Sequence, residues 1–222
     1  MSQEQWDAVD RYISDLLVPP DLALDGALRA SAQSGLPSIE VTPNQGKLLQ
    51  LLARLVGARS ILEIGTLGGY STIWLARALP AGGRLVTLEA DPGFAEVARS
   101  NIARAGLADV VELHVGPALE TLPPLAVQRP FDMIFIDADK RSTAEYFTWA
   151  LELSGPGSLI VADNVVRNGA VIDAASGDPG IQGVRSFYEL VAAEQRVSAT
   201  AIQTVGRKGH DGFAVALVVG DA

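Results

Sequence analysis

Hydrophobic positions along the chain change their spacing near residue 60. Before this point, apolar residues recur at helical spacing in three segments, 6–17, 21–34 and 42–56, with prolines at or near their boundaries. After it, the apolar residues gather in short runs typical of buried strands. These runs predict strands at 60–64, 84–89, 110–115, 131–137 and 158–162.

Helical patterns separate these strands and follow the last of them. They lie at 71–79, 94–105, 143–153 and 184–194. Such alternation predicts an α/β fold, with a doubly wound parallel sheet between helices.

The end of the chain departs from this alternation. Two further strands, 197–205 and 213–219, are joined by the turn-rich segment 206–212, which is too short for a crossover helix. They are therefore expected to pair antiparallel, so that the last strand runs against the rest of the sheet. We expect one domain over residues 1–222, with a helical cap at 1–58 and an α/β core at 59–222.

Composition and charge exclude several classes of function. The 222 residues contain no cysteine and two histidines, which excludes disulfide frameworks, thiolate metal sites and a cysteine nucleophile. Lysine and arginine number 17 against 26 acidic residues, for a net charge of −9, which argues against a nucleic-acid partner. The N-terminus shows no export signal and no apolar run is long enough to cross a membrane, so we expect a cytoplasmic protein without a membrane partner.

A glycine-rich loop follows the first predicted strand. Gly65, Gly68 and Gly69 lie between that strand and a helix, at the edge of the sheet where doubly wound proteins bind ligands. The spacing differs from the Gly-x-Gly-x-x-Gly dinucleotide fingerprint. Glu63 precedes the loop and Glu89 ends the next strand. A tight turn alone would account for the glycines, but the two acids favour a ribose-bearing cofactor with a positive centre.

More acidic residues follow the fourth and fifth strands. Asp137 and Asp139 end the fourth, and Asp163 and Asn164 end the fifth. A single such acid commonly caps the next helix. Several acids at one edge repel each other unless a cation intervenes. Carboxylate and amide oxygens without nitrogen or sulfur ligands suit Mg²⁺, Mn²⁺ or Ca²⁺.

These motifs together resemble the cation-dependent class I O-methyltransferases, the family of catechol and caffeoyl-CoA O-methyltransferases. The resemblance rests on LEIGTLGGYS at 62–71, GPAL at 116–119, FIDADK at 135–140 and the Asp-Asn pair at 163–164. It extends over essentially the whole chain and implies a seven-stranded Rossmann-like methyltransferase sheet. It also implies a homodimer and a divalent cation, for which Mg²⁺ is preferred.

The resemblance further implies a role for individual positions. The metal ligands would be Asp137, Asp163 and Asn164. Lys140 would be the general base beside Asp137, and Asn168 would contact the substrate. The contacts to S-adenosylmethionine would be Val41, Glu63, Gly65, Thr66, Ser71, Glu89, Ala118 and Asp139.

The implied reaction is methyl transfer from S-adenosylmethionine to a hydroxyl of a small aromatic acceptor. Arg167 stands where the plant coenzyme A ester enzymes resemble one another in carrying tryptophan, which favours a free catechol or related phenol. Two alternatives remain open from the residues. A nicotinamide-dependent oxidoreductase would share the sheet and Glu89 but requires the dinucleotide loop, and a non-catalytic cofactor-binding module would lack part of the metal set or Lys140.

Overall fold

The computed structural model describes residues 2–220, which fold around a single sheet of seven strands. The strands lie in the order β3-β2-β1-β4-β5-β7-β6. Their bounds are β1 (Ser60–Ile64), β2 (Arg84–Glu89), β3 (Val111–Val115), β4 (Met133–Ile136), β5 (Leu159–Asp163), β6 (Val197–Gly206) and β7 (Gly209–Val218).

The directions of the strands confirm the predicted fold class. Strands β1 to β5 are parallel, β7 pairs antiparallel with β5, and β6 pairs antiparallel with β7. The strand order reverses between β1 and β4, so the parallel strands open a crevice at their carboxyl ends at that point.

Eight α-helices accompany the sheet within residues 2–220. They are α1 (Gln3–Leu17), α2 (Leu22–Gln33), α3 (Pro43–Leu55), α4 (Tyr70–Ala76), α5 (Pro92–Arg104), α6 (Ala118–Thr121), α7 (Thr143–Leu153) and α8 (Pro179–Ala193). Three short 3₁₀ segments occur at Pro123–Gln128, Lys140–Ser142 and Arg167–Ile172. Within the described part of the chain, no helix is both long and apolar enough to cross a membrane.

The strands β1, β4 and β5 form the centre of the core, because every residue in them is buried. Leu62 and Ile64 pack into one apolar layer with side chains from β4, β5, α7 and α8. Ile61 lies in the opposite layer, which includes α3 and α4. Burial of both faces explains why these strands appear in the sequence as nearly continuous apolar runs.

The helices before the sheet begin at predictable capping residues. Thr42 caps α3, with Pro43 in the first turn, and Asp21 accepts hydrogen bonds from two N–H groups of α2. The Asp21 carboxylate also pairs with Arg77 at the end of α4, with 2.6 Å between Nη1 and Oδ2. This ion pair fastens α2 to the helix that follows the glycine loop.

The last helix begins earlier than predicted. The pattern predicts a start at residue 184, whereas α8 begins at Pro179, with Asp178 as its capping residue. Gly180 and Gly183 weaken the helical signal in this first turn. Gly183 is required by packing, since a Cβ there would lie 2.2 Å from the carbonyl oxygen of Lys140.

The predicted turn of the final hairpin is also wrong. Instead of a loop over 206–212, the structure has a two-residue turn, Arg207 and Lys208, between β6 and β7. Gly212 lies within β7, where a Cβ would come 2.3 Å from the carbonyl oxygen of Ile202. This glycine therefore permits close approach of two strands rather than forming a turn.

Candidate active site

Two adjoining cavities lie at the carboxyl ends of the parallel strands. The loop cavity has a volume of about 450 Å³ and surrounds the β1–α4 loop. The hairpin cavity has a volume of about 470 Å³ and lies between α3, the loop after β5 and the β6–β7 turn. Both volumes are in the range of small-molecule sites. Five residues line both cavities: Ile39, Glu40, Val41, Asn164 and Arg167.

The sequence-predicted site residues lie around these cavities, with one exception. Those that line the loop cavity are Val41, Gly65, Thr66, Ser71, Glu89, Ala118, Asp137, Asp139, Lys140 and Asn164. Asp163 and Asn168 line the hairpin cavity, which Val41 and Asn164 also border. Glu63 is the exception and is described below.

The β1–α4 loop brings its backbone close to the neighbouring strand. Gly65 has a φ of +100°, and a Cβ at this position would lie 2.1 Å from the carbonyl oxygen of Asp137. Only glycine fits this close approach. The following N–H groups of Thr66 and Leu67 donate to Oε2 of Glu89, at 3.3 and 2.7 Å. The loop therefore holds the Glu89 carboxylate at the wall of the cavity.

Glu63 lies behind the cavity wall rather than on it. Its side chain is completely buried, and the hydroxyls of Thr72 and Thr87 donate to Oε2 at 2.5 and 2.7 Å. Burial raises the pKa of Glu63 to about 7, against the hydrogen bonds from Ser71, Thr72 and Thr87. The prediction that Glu63 contacts the cofactor as a charged group does not match this placement. The Glu63 carboxyl instead supports the loop from inside the core, through its hydrogen bonds from Thr72 and Thr87.

We expect the free energy of unfolding of Glu63→Gln to rise relative to that of the wild-type protein as the pH increases. The raised pKa means that the folded protein keeps a proton that the unfolded chain releases, so wild-type stability falls between about pH 4.5 and pH 7. Glutamine can present its carbonyl oxygen to both threonines and does not titrate. The difference in unfolding free energy should increase in favour of the variant by about 3 kcal/mol over this range.

Denaturant unfolding of the cation-free proteins at about pH 5 and pH 8 measures this difference. Glu120→Gln, at an exposed position, is the matched control for the loss of one carboxylate from the chain. A difference between Glu63→Gln and wild type that stays constant with pH would contradict the prediction.

Asp139 belongs to a hydrogen-bonded cluster on the wall of the loop cavity. The Tyr146 hydroxyl donates to Oδ2 at 2.5 Å, and the Ser142 hydroxyl donates to Oδ1 at 2.8 Å. Burial by itself would raise the pKa of Asp139, but these hydrogen bonds outweigh it and the pKa is lowered. Asp139 therefore presents a fixed, ionised carboxylate to a hydrogen-bond donor in the cavity.

Two carboxylates meet where the loop and hairpin cavities join. The β4–β5 register pairs Ile136 with Ala162, so the next residues, Asp137 and Asp163, follow neighbouring strand positions. Nζ of Lys140 lies 2.8 Å from Oδ1 of Asp137. Burial and the nearby Asp137 raise the pKa of Asp163 to about 7. Among residues 2–220, Lys140 compensates only part of the negative charge of these two carboxylates, which favours a further cation beside them.

The donor set fits a hard divalent cation. Within residues 2–220, no three side chains of the histidine, cysteine, aspartate or glutamate types form a metal cluster. The candidate ligands are instead two carboxylates and the Asn164 amide, all on the cavity walls. Mg²⁺ commonly binds through one or two carboxylates and keeps several waters, so this small oxygen set is suited to it.

Gln45 is a site residue that the sequence analysis missed. From the first turn of α3, its Nε2 donates to Oδ2 of Asp163 at 2.6 Å, while the Asn164 backbone N–H donates to Oδ1 at 2.8 Å. These two bonds orient the carboxylate. Gln45 lies 118 residues away from Asp163 along the chain, and no local pattern marks it. Tyr146 was missed for a similar reason, since its ring resembles an ordinary core residue of α7.

Residues 21–216 match the family model of the O-methyltransferases. It is 55% identical over 220 residues to a catechol O-methyltransferase of Niastella koreensis, which covers 98% of this chain and 100% of that protein. The fold is also similar to solved structures. An O-methyltransferase of Bacillus cereus in complex with SAH superposes with a TM-score of 0.96 at 59% identity, covering 98% of this chain and 100% of that one. The O-methyltransferase TomG of Streptomyces achromogenes, involved in tomaymycin synthesis and solved with SAM, gives a TM-score of 0.96 at 58% identity, covering 99% and 100%.

Proposed function

This chain belongs to the O-methyltransferase family, and on that premise we propose that it methylates one hydroxyl of a small catechol with the help of a divalent cation. Membership makes the chain an enzyme that uses S-adenosylmethionine, and it removes the oxidoreductase and the non-catalytic module as alternatives. The observation that carries the proposal is the junction of the two cavities, where Asp137, Asp163 and Asn164 meet Lys140.

The loop cavity is the site proposed for S-adenosylmethionine. This cofactor supplies a methyl group made electrophilic by a sulfonium centre. The ordered Glu89 carboxylate can accept hydrogen bonds from the ribose hydroxyls. Asp139, held by Tyr146 and Ser142, offers a second acceptor, and the glycines let the backbone approach the ligand closely.

Asp137, Asp163 and Asn164 are the residues proposed to hold the cation, with Mg²⁺ preferred over Mn²⁺ or Ca²⁺. A bound cation would lower the pKa of an acceptor hydroxyl and neutralise the two carboxylates. Gln45 keeps the Asp163 carboxylate in one orientation for this purpose. Two vicinal hydroxyls suit such a site because both can approach the same ion, which is why a catechol is preferred over a monophenol.

Lys140 is proposed as the general base. Its Nζ contacts Asp137 and lines the loop cavity, and 12% of its side chain is exposed, so it lies close to the junction without free access to solvent. With Nζ in its neutral amine form, which the charge of a bound divalent cation would favour over the ammonium, a proton would pass from the acceptor hydroxyl to Nζ. The acceptor oxygen then bonds to the methyl carbon as the carbon–sulfur bond breaks, leaving a neutral thioether. Holding both reactants at contact distance provides much of the rate.

The hairpin cavity is the proposed acceptor site. It adjoins the loop cavity at Val41 and Asn164 and includes Asn168, the residue predicted to contact the substrate. The homodimer, the cytoplasmic location and the absence of a nucleic-acid partner stay predictions. Exposed apolar side chains on α1, among them Tyr12 and Leu16, offer a surface on which a dimer contact could form.

A methyl-transfer screen over catechols, flavonoids and hydroxycinnamates, each with and without Mg²⁺, tests the proposal. We expect turnover of vicinal dihydroxyl acceptors that stops when a strong chelator is added and returns when Mg²⁺ is restored. Robust turnover of monophenols together with none of any dihydroxyl acceptor would overturn the proposal. Undiminished activity under strong chelation would overturn the role of the cation.

A further inference from the structure

Arg167 stands out among the arginines of the described chain. Four arginines within residues 2–220 are half-buried. Three of them donate side-chain hydrogen bonds: Arg77 to Asp21, Arg185 to the Val171 carbonyl, and Arg196 to Glu194. The guanidinium of Arg167 makes no hydrogen bond or ion pair with any residue from 2 to 220. A partly desolvated guanidinium without a partner is unfavourable, so its position calls for an external acceptor.

The backbone around Arg167 is held in an unusual conformation. Asn164, Arg167 and Asn168 all have positive φ, at 58°, 56° and 55°. Such values are uncommon for residues other than glycine, and they persist where the surrounding structure enforces them. Oδ1 of Asp211 on β7 provides this enforcement, because it accepts the N–H groups of Val166 and Arg167, each at 3.0 Å.

This conformation places Arg167 at the junction of the loop and hairpin cavities, which it lines together with Asn164. Each of the four acids that line the hairpin cavity has a partner of its own, and the partners of Asp163 are Gln45 and the Asn164 N–H. Asp10 accepts the Arg207 N–H, Glu40 lies 3.8 Å from Nζ of Lys208, and Asp211 accepts backbone donors. The guanidinium of Arg207, which also lines the hairpin cavity, likewise has no hydrogen-bond acceptor among residues 2–220. The guanidiniums of Arg167 and Arg207 therefore keep hydrogen-bond donors that a ligand can use.

We propose that the acceptor carries a carboxylate in addition to its hydroxyls and that Arg167 binds it, so that Arg167 determines specificity for anionic catechols. This inference rests on the proposed function and adds the charge of the substrate to it. A planar guanidinium with several donors matches a carboxylate in geometry, and such charged hydrogen bonds are among the stronger ones. The carboxylate of the cofactor's amino-acid portion is the other possible source, and the experiment separates the two.

The test compares 3,4-dihydroxybenzoate with its methyl ester, which keeps the catechol and removes the negative charge. We expect the wild-type enzyme to favour the acid in kcat/KM. Arg167→Gln should lower the ratio of acid to ester by about 10- to 100-fold, the range expected from loss of a hydrogen bond between charged groups. Arg59→Gln is the matched control, because Arg59 precedes β1 at the opposite edge of the sheet, and it should leave the ratio unchanged.

Calorimetric titration of the acid and the ester into protein supplied with Mg²⁺ and S-adenosylhomocysteine gives the same ratio without turnover. The inference would be overturned if Arg167→Gln lowered neither the acid-to-ester ratio of kcat/KM nor the acid-to-ester ratio of binding affinities. So would an equal loss for both acceptors accompanied by a matching loss of affinity for S-adenosylmethionine, because Arg167 would then serve the cofactor. Failure of the proposed function is distinguishable, since neither catechol would then be methylated by the wild-type enzyme.

Discussion

Alanine in place of Asp163 is expected to lower methyl transfer to catechol by about 1,000-fold or more. The change removes a proposed cation ligand, and a bound cation provides several kcal/mol of charge stabilisation in such a reaction. Initial rates over a series of Mg²⁺ concentrations measure the loss, and calorimetry measures binding of Mg²⁺ itself. The remaining activity should no longer respond to Mg²⁺ or to a chelator.

The fold should survive this substitution. The pKa of Asp163 is raised by burial and by Asp137, so in the cation-free protein the charged carboxylate does not stabilise the folded state. The main cost is the loss of the two hydrogen bonds that Asp163 accepts, from Gln45 and from the Asn164 N–H, at about 1 kcal/mol each. Asp109→Ala removes an exposed carboxylate near the opposite edge of the sheet and should retain wild-type activity. If Asp163→Ala retained Mg²⁺-dependent turnover within tenfold of wild type, the assignment of Asp163 as a ligand would be wrong.

The sheet is the part of the fold that the sequence predicts best. The strands β1 and β2 occur at their predicted bounds because their buried leucine, isoleucine and valine residues form short runs between glycine-containing segments. The placement of Asp137 and Asp163 at one edge follows from the same reasoning, since parallel strands end on the same side of a sheet. Elements that are buried and local in sequence therefore provide most of the site.

Sequence reasoning misplaces the ends of elements at two glycines. A glycine can form a turn, but it can also allow another stretch of backbone to pass close to a helix or strand. Gly183 directly precedes the predicted start of the last helix and Gly212 falls in the predicted turn, yet both lie inside regular elements. Each is needed because another stretch of backbone passes too close for a Cβ. That approach depends on residues distant in the chain, and a local pattern does not contain it.

The polar contacts of the site are unpredictable for the same reason. The pattern places Glu63 beside a ligand loop, but its hydrogen-bond donors come from α4 and β2, and the packing of these elements turns its carboxylate inward. Gln45 reaches Asp163 only after α3 docks on the sheet. Sequence motifs thus identify the residues bearing the chemistry, whereas the residues that orient them require the tertiary structure.

Substitution of Lys140 provides the most direct test of the chemical step. Methionine at this position should lower kcat by about 100- to 10,000-fold, the range typical of a lost general base. Lys140→Arg separates the two roles that lysine could have. Arginine keeps a positive charge beside Asp137, which lies 2.8 Å from Nζ in the native protein, but it does not release its proton. Both variants should therefore lose kcat to a similar degree.

The pH dependence of kcat distinguishes a base from a structural residue. In both variants, raising the pH should restore part of the lost activity, because the acceptor hydroxyl then ionises without help from the protein. Lys47 on α3, whose Nζ donates to Gln50 at 3.0 Å, supplies the control, and Lys47→Arg should behave as wild type. Near-normal kcat in Lys140→Arg would mean that a positive charge at this position is enough for catalysis and that a base is not needed there. Lys140 would then hold Asp137 in position and stabilise the ionised acceptor, and the proton would leave through another group.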